Sequence, residues 1–214
     1  EPKQVFGEVV FNTAMSGYQE VLTDPSYSNQ CVVMTYPMIG NYGINNHDVE
    51  SKQIFLNALL CKEYVDHPSN WQSVKSLKVF LEEFGKVGVD RLDTRALTLH
   101  VRDHGAQRLI ITSDLTASKH DLIKKIREVP EMKGLNLAQE VTTDASYSWQ
   151  SEKNVKKKFK IAVLDCGVKY NILRHLHDRG CDCVVMPIDQ ASDMLKAETF
   201  DGLFISNGPG DPEP

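Results

Sequence analysis

Few stretches of this chain combine residue types and spacing that do chemistry. The clearest is S-N-G-P-G-D-P at Ser206–Pro212, directly after the apolar run DGLFISN. Glycines let a ligand approach the backbone, and their N–H groups suit an oxyanion or a carboxylate. Pro209 has no N–H, so the loop makes a poor all-round phosphate nest. The G-x-G-x-x-G spacing of dinucleotide binders is also missing. On spacing alone, a ligand cradle and a plain strand-to-helix turn are both open readings.

The other reactive residues favour plainer roles. Cys166, in LDCG, invites a nucleophile reading, but a nucleophile needs a base and none can be placed beside it, so a packing thiol is preferred. His100 and His104 have zinc-ligand spacing, yet Val-Arg-Asp between them lacks the glutamate of H-E-x-x-H. Cys181-x-Cys183 is half a metal site without a second pair. His175 and His177 are two apart and point to different faces of one helix. No metal site is expected, and all four histidines are expected at the surface or its boundary. The stretch SGYQEVLTDPSYSNQ (16–30) gathers Tyr18, Gln19, Glu20, Thr23, Asp24, Ser26, Tyr27 and Ser28. It reads as a loop between two strands, either functional or simply solvated.

The elements that must position these residues fall into two styles. Over 1–143 the pattern is mixed. Strands are expected at 7–13, 31–37, 57–64 and 108–113. Helices are expected at 73–85, at 93–105 with Asp93 as cap, and at 118–130 with Ser118 and Asp121 as a capping box. The polar stretch 144–159 reads as a linker. From 160 the chain alternates strictly: strand 160–165, helix 167–180, strand 182–189, helix 190–200, strand 201–207. This is βαβαβ, half of a doubly wound α/β domain. Such folds normally have five or more strands, so the chain is expected to be the front part of a longer protein.

Composition narrows the class. The chain has 214 residues, a net charge of −5 and five cysteines without a regular framework. The acidic balance argues against nucleic acid as partner. No apolar run reaches the roughly 18–20 residues of a membrane span, and the start EPKQVFGEVV lacks the apolar core of a signal peptide. Reduced, buried thiols in a cytoplasmic protein are the expectation.

Longer motifs go further. GEVVFNTAMSGYQEVLTDPSYSNQ, TYPMIGNYGIN (35–45), VDRLDTRALTLHVRDHGAQ (89–107), GLNLAQEVTT with YSW (134–149), LDCGVKYNILRHLHDRGCD (164–182) and GLFISNGPGDP (202–212) occur in order over nearly the whole chain. Together they resemble the small, glutamine-hydrolysing subunit of carbamoyl-phosphate synthetase, in its bacterial form. The resemblance implies an N-terminal β/α domain (1–143), a linker (144–159) and the start of a flavodoxin-like class I glutamine amidotransferase domain (160–214). It implies hydrolysis of L-glutamine by a Cys–His–Glu triad and passage of ammonia to a large subunit. That subunit uses bicarbonate and ATP, with Mg2+, to make carbamoyl phosphate for arginine and pyrimidine synthesis; no cofactor is expected on this chain.

Carried over residue by residue, the glutamine contacts fall on Ser26, Gly208 and Gly210. Gly208 would help stabilise the oxyanion, and Ser26 would reach from the first domain to the amino-acid end of the substrate. Asp24 and Lys169 would line the ammonia path. The family's nucleophile lies in a G-x-C-x-G-H-Q elbow that these 214 residues do not contain, so the chain by itself is expected to be inactive. A docking module without catalysis and a flavodoxin-like nucleotide-binding domain remain the alternatives. A downstream elbow would exclude both, and ATP binding by the isolated chain would favour the second.

Overall fold

The computed structural model describes residues 4–151 and 153–213. The chain forms two compact units, Glu1–Lys133 and Gly134–Pro214.

The first unit is built on a five-stranded sheet. Its strands are β1 (Gln4–Asn12), β2 (Gln30–Met34), β4 (Ala58–Leu60), β6 (Val87–Val89) and β7 (Gln107–Thr112), in the order β6-β4-β2-β1-β7. Neighbours are parallel except β7, which runs antiparallel to β1. Short strands β3 (Met38–Ile39) and β5 (Glu63–Tyr64) form a separate parallel pair. β4 is apolar throughout and β2 is apolar from Cys31 to Met34, with all of these residues buried, as expected for parallel strands covered on both faces. Alternation then splits them. Val32, Met34, Leu59 and Cys61 join one core with Tyr18, Leu22, Leu77 and Phe80. Cys31, Val33, Ala58 and Leu60 join the other with Val9 and Val101.

Helices α1 (Tyr18–Thr23), α2 (Leu77–Glu83), α3 (Thr94–His104) and α4 (Lys119–Glu128) complete this unit. Three of them start where a side chain caps the first turn. Ser76 accepts from the Val79 N–H at 3.3 Å, Asp93 from Ala96 at 2.9 Å and Ser118 from Asp121 at 3.1 Å. Ser118 Oγ also donates to the Asp121 carboxylate, so the two residues of the expected capping box are joined through their side chains. The stretch expected as one strand at 57–64 is two, β4 and β5, divided at Cys61–Lys62.

The second unit carries strands β8 (Tyr147–Ser148), β9 (Phe159–Asp165), β10 (Cys181–Pro187) and β11 (Gly202–Ile205), in the order β11-β9-β10-β8. The three longer strands are parallel and β8 is antiparallel to β10. Helices are α5 (Ala138–Val141), α6 (Tyr170–Asp178) and α7 (Ala191–Ala197). Val163, Cys183 and Val185 pack with Leu173 of α6 on one face. Ala162 and Met186 pack with Ala191 of α7 on the other. The expected βαβαβ unit is therefore present, with one helix on each face.

The structure departs from the expected linker at 144–159. Tyr147, Ser148 and Trp149 alternate apolar, polar, apolar. Tyr147 and Ser148 pair with β10, the Trp149 N–H donates to Cys183 O at 2.9 Å, and both aromatic rings join the α6 core. Further on, Lys157 donates to His177 Nδ1 at 2.7 Å and to Cys181 O at 3.0 Å. His177 is therefore buried, against the surface position expected, while His175 is exposed. The boundary between compact units falls at Lys133, ten residues before the one expected, because 134–143 is bonded into the second unit.

Candidate functional site

The second unit has a topological switch point. The first parallel strand, β9, lies in the middle, with the second, β10, on one side and the third, β11, on the other. The chain leaving β9 passes to one face through α6, and the chain leaving β10 to the other through α7. Strand order reverses at β9, and the carboxyl ends of strands beside such a reversal are where open α/β sheets hold ligands. The loop after β9 is Cys166–Lys169, and the loop after β11 is Ser206–Glu213.

Two buried polar side chains organise these loops: Asp165 shapes the loop after β9, and Ser206 joins the two loops. Asp165 is 6% exposed. Its Oδ1 accepts from Gly167 N–H at 2.9 Å and Val168 N–H at 2.8 Å, and its Oδ2 accepts from Thr143 N–H at 2.9 Å. Three donors compensate the burial of one carboxylate. Ser206 Oγ accepts from Cys166 N–H at 2.9 Å and donates to Asn207 O at 2.8 Å. One hydroxyl thus bridges the ends of neighbouring strands, using both its donor and its acceptor capacity.

The glycines follow from this wiring. A Cβ on Gly208 would lie 2.2 Å from the carbonyl oxygen of Cys166. The obstacle is backbone, so only glycine fits. Gly210 has φ +79°, the left-handed region, and a Cβ there would lie 3.2–3.3 Å from the Leu137 side chain. Pro209 between them is buried while Gly208 and Gly210 are exposed. The proline therefore anchors the loop and the glycines present backbone outward. Asp211 closes the far side, accepting from Gly134 N–H at 3.0 Å.

Cys166 is half-buried in the loop after β9. Burial, with the neighbouring Asp165 carboxylate, pushes its thiol above the ordinary range. An attacking thiolate needs the opposite shift. Cys31 and Cys183 are buried more deeply, and their thiols are pushed up to about 11. All five cysteines are free thiols. Lys169 is the N-cap residue of α6, in the loop that Asp165 shapes, and its carbonyl accepts from Ile172 N–H at 3.0 Å.

In the first unit, the stretch expected as a loop at 16–30 is mostly structured. It forms α1 and a 3-10 turn at Pro25–Tyr27. The N-cap residue of α1, Gly17, has no side chain to cap it; instead the Gly17 and Tyr18 N–H groups donate to the Tyr42 hydroxyl at 2.9 and 2.7 Å. Gln19 is fully buried and makes two bonds to Asn45, Nε2 to its carbonyl at 2.6 Å and Oε1 from its N–H at 2.9 Å. Thr23 Oγ1 donates to Gln19 O and accepts from Glu50 N–H, both at 2.9 Å. Asp24 caps the 3-10 turn, accepting from Ser26 N–H at 2.9 Å, and Ser26 is half-buried. Asp24 and Ser26 are thus brought together in the first unit, as Gly208 and Gly210 are in the second. Sequence reasoning missed Asp165, Ser206, Leu137 and Thr143. The available signal was a polar residue ending each of two apolar strands, Asp165 after KIAVL and Ser206 after GLFI.

An open α/β sheet with a glycine loop beside its strand-order reversal defines the class of doubly wound α/β domains, and comparison with known proteins narrows it. A family model described as "Carbamoyl-phosphate synthase small chain, CPSase domain" matches residues 1–111, and one described as "Glutamine amidotransferase class-I" matches residues 162–214. The carbamoyl phosphate synthase small chain of Syntrophotalea carbinolica is 45% identical, over 99% of this chain and 58% of the relative. That of Maridesulfovibrio salexigens is 46% identical, over 99% and 59%. That of Aquifex aeolicus is 44% identical, over 97% and 58%. The chain belongs to the carbamoyl-phosphate synthase small-chain family, and spans somewhat under three fifths of these relatives' length. No helix among the described residues is long and apolar enough to cross a membrane.

Proposed function

We propose that this chain handles glutamine for a carbamoyl-phosphate synthase. The observation that carries the reading is the Asn207–Asp211 loop, held over the switch point with glycine obligatory at 208. Hydrolysis of L-glutamine by acyl transfer needs a nucleophile, a base and an oxyanion hole. Gly208 N–H serves the oxyanion, Gly210 lets the substrate lie against the backbone, and Ser26 binds its amino-acid end. Asp24 and Lys169 line the path by which ammonia leaves. A large subunit receives the ammonia and, with bicarbonate, ATP and Mg2+, makes carbamoyl phosphate. The free thiols fit a cytoplasmic setting.

The reading places the nucleophile elsewhere than Cys166, whose thiol is pushed above its ordinary range by burial and the Asp165 carboxylate. The 214 residues contain no G-x-C-x-G-H-Q elbow. By themselves they are expected to release no glutamate from glutamine above background. The test of the reading is Ser26→Ala in the full-length protein as its organism makes it, assembled with the large subunit. The glutamine KM should rise while ammonia-driven synthesis is retained. Loss of one hydrogen bond to a charged substrate group corresponds to about 1.5–3 kcal/mol. An unchanged KM removes Ser26 from the site.

A further inference from the structure

The segment Gly134–Thr143 is tied to the carboxyl end of each parallel strand in the second unit. At β9, Thr143 N–H donates to Asp165 Oδ2 at 2.9 Å. Beyond β10, Ile188 N–H donates to Thr142 Oγ1 at 3.3 Å. Beyond β11, Gly134 N–H donates to Asp211 Oδ2 at 3.0 Å, and Leu137, only 1% exposed, lies beneath Gly210. The segment lies outside both family-model matches, which cover 1–111 and 162–214.

We propose that Gly134–Thr143 is a positioning brace for the Gly208–Gly210 loop, with Leu137 and Asp211 as its positioning residues. The inference rests on the glutamine reading above. Gly208 and Gly210 have no side chains to fix their own conformation, and glycine backbone is costly to order. An oxyanion donor works only when it is held in place before the reaction. Pro209 anchors the loop from within, and the 134–143 segment supports it from outside. Leu137 blocks inward collapse at Gly210, and Asp211 clamps the far end. Its two carboxylate oxygens are both used, Oδ2 by Gly134 N–H and Oδ1 by Glu213 N–H at 3.0 Å. An asparagine there keeps one acceptor oxygen and loses the second. An alanine at 137 removes the support and leaves every polar tie intact.

The test uses the full-length protein as its organism makes it, with its large subunit, and follows glutamine- and ammonia-driven synthesis in parallel. Leu137→Ala and Asp211→Asn are each expected to raise the glutamine KM on the order of tenfold, since small displacements of a positioning group have large effects. Ammonia-driven synthesis should be unchanged, and Leu137→Met should restore the KM. Amide hydrogen exchange at 207–211 should quicken in both variants while β9 and β10 stay protected. If Leu137→Ala also loses ammonia-driven synthesis, the fold has suffered and Asp211→Asn alone decides. Gly208→Ala separates the two levels of inference. If it leaves glutamine use intact, the glutamine reading falls. If it abolishes glutamine use while Asp211→Asn keeps the wild-type KM and exchange, the brace alone is overturned.

Discussion

In the first unit, Gln19 and Thr23 are buried against Asn45 and Glu50; in the second, Asp165 and Ser206 are buried against Thr143, Gly167, Val168 and Cys166. Both sets hold irregular backbone in place with neutral hydrogen bonds or a carboxylate surrounded by N–H groups. They differ in what lies on the outer side of that backbone. Around Gln19 the locked segments carry Tyr18, Leu22, Ile44 and Ile54 into a continuous core. Around Ser206 the locked loop carries exposed Gly208 and Gly210. Polar burial fixes a segment in both places; only around Ser206 does the fixed segment leave glycine backbone exposed. Strand β11 shows the same openness, with Leu203 50% and Ile205 63% exposed.

The largest effect that tests this comparison is expected at Gly208. In Gly208→Ala the new Cβ meets the Cys166 carbonyl at 2.2 Å, and neither backbone can yield without breaking the Ser206 bridge. Glutamine-driven turnover in the full-length protein should fall on the order of a hundredfold, as for loss of an oxyanion donor. Gly88→Ala in the first unit is the matched contrast. Its Cβ meets only the end of the Leu81 side chain, at 3.1 Å. That variant should keep its turnover, and a comparable loss there would break the distinction between the units.

Next in size is Gln19→Leu. It leaves the Asn45 N–H and carbonyl without the partner each has now, at about 1–3 kcal/mol for each orphaned group. The expected result is a lower urea midpoint with the denaturant slope retained. Because the clasp only supports the core, the glutamine KM should not change beyond the loss of folded protein.

How much of this was legible follows the same division. Helices α3 and α4 were readable because their caps, Asp93 and Ser118, lie within three residues of the amides they bind. The βαβαβ order was readable because a buried parallel strand writes its apolar run locally. Helix α1 was not, since its first amides bond Tyr42 and its buried Gln19 bonds Asn45, both over twenty residues away. Tyr147–Trp149 was hidden for another reason: two aromatics in a polar stretch become a strand only when β10 offers its edge. Gly208 and Gly210 stood out by type, whereas the residues that hold them, Asp165, Ser206 and Leu137, announce nothing until the strand ends are brought together.

A smaller effect concerns Glu20, which has a buried Oε2 without a hydrogen-bond partner among the described residues. Burial, with Asp48 and Glu50 adding repulsion, raises its carboxyl above the ordinary 4.5. The folded state therefore holds this proton more tightly than the unfolded chain. Its contribution to stability is full below the unfolded value and is lost as pH rises through the folded one. Glu20→Gln removes that loss. The variant should gain in Tm relative to wild type between pH 4 and neutrality, and a constant difference across that range would show that the carboxyl is not strained.

The smallest effect is expected where sequence chemistry looked most reactive. Cys166 takes part in the switch point through its backbone, its N–H bonded to Ser206 and its carbonyl facing Gly208. A substitution keeps both groups. Its thiol, pushed up by burial and by Asp165, is mostly protonated at neutral pH and is a weak nucleophile in that form. Cys166→Ala should therefore retain most glutamine-driven turnover in the full-length protein. Alkylation by iodoacetamide at pH 7 should be slower at Cys166 than at a free model thiol, and should accelerate steeply above pH 9. Rapid alkylation at neutral pH, together with loss of turnover in Cys166→Ala and an intact fold, would move the nucleophile to this switch point. The two buried-polar regions would then differ in chemistry as well as in what they expose.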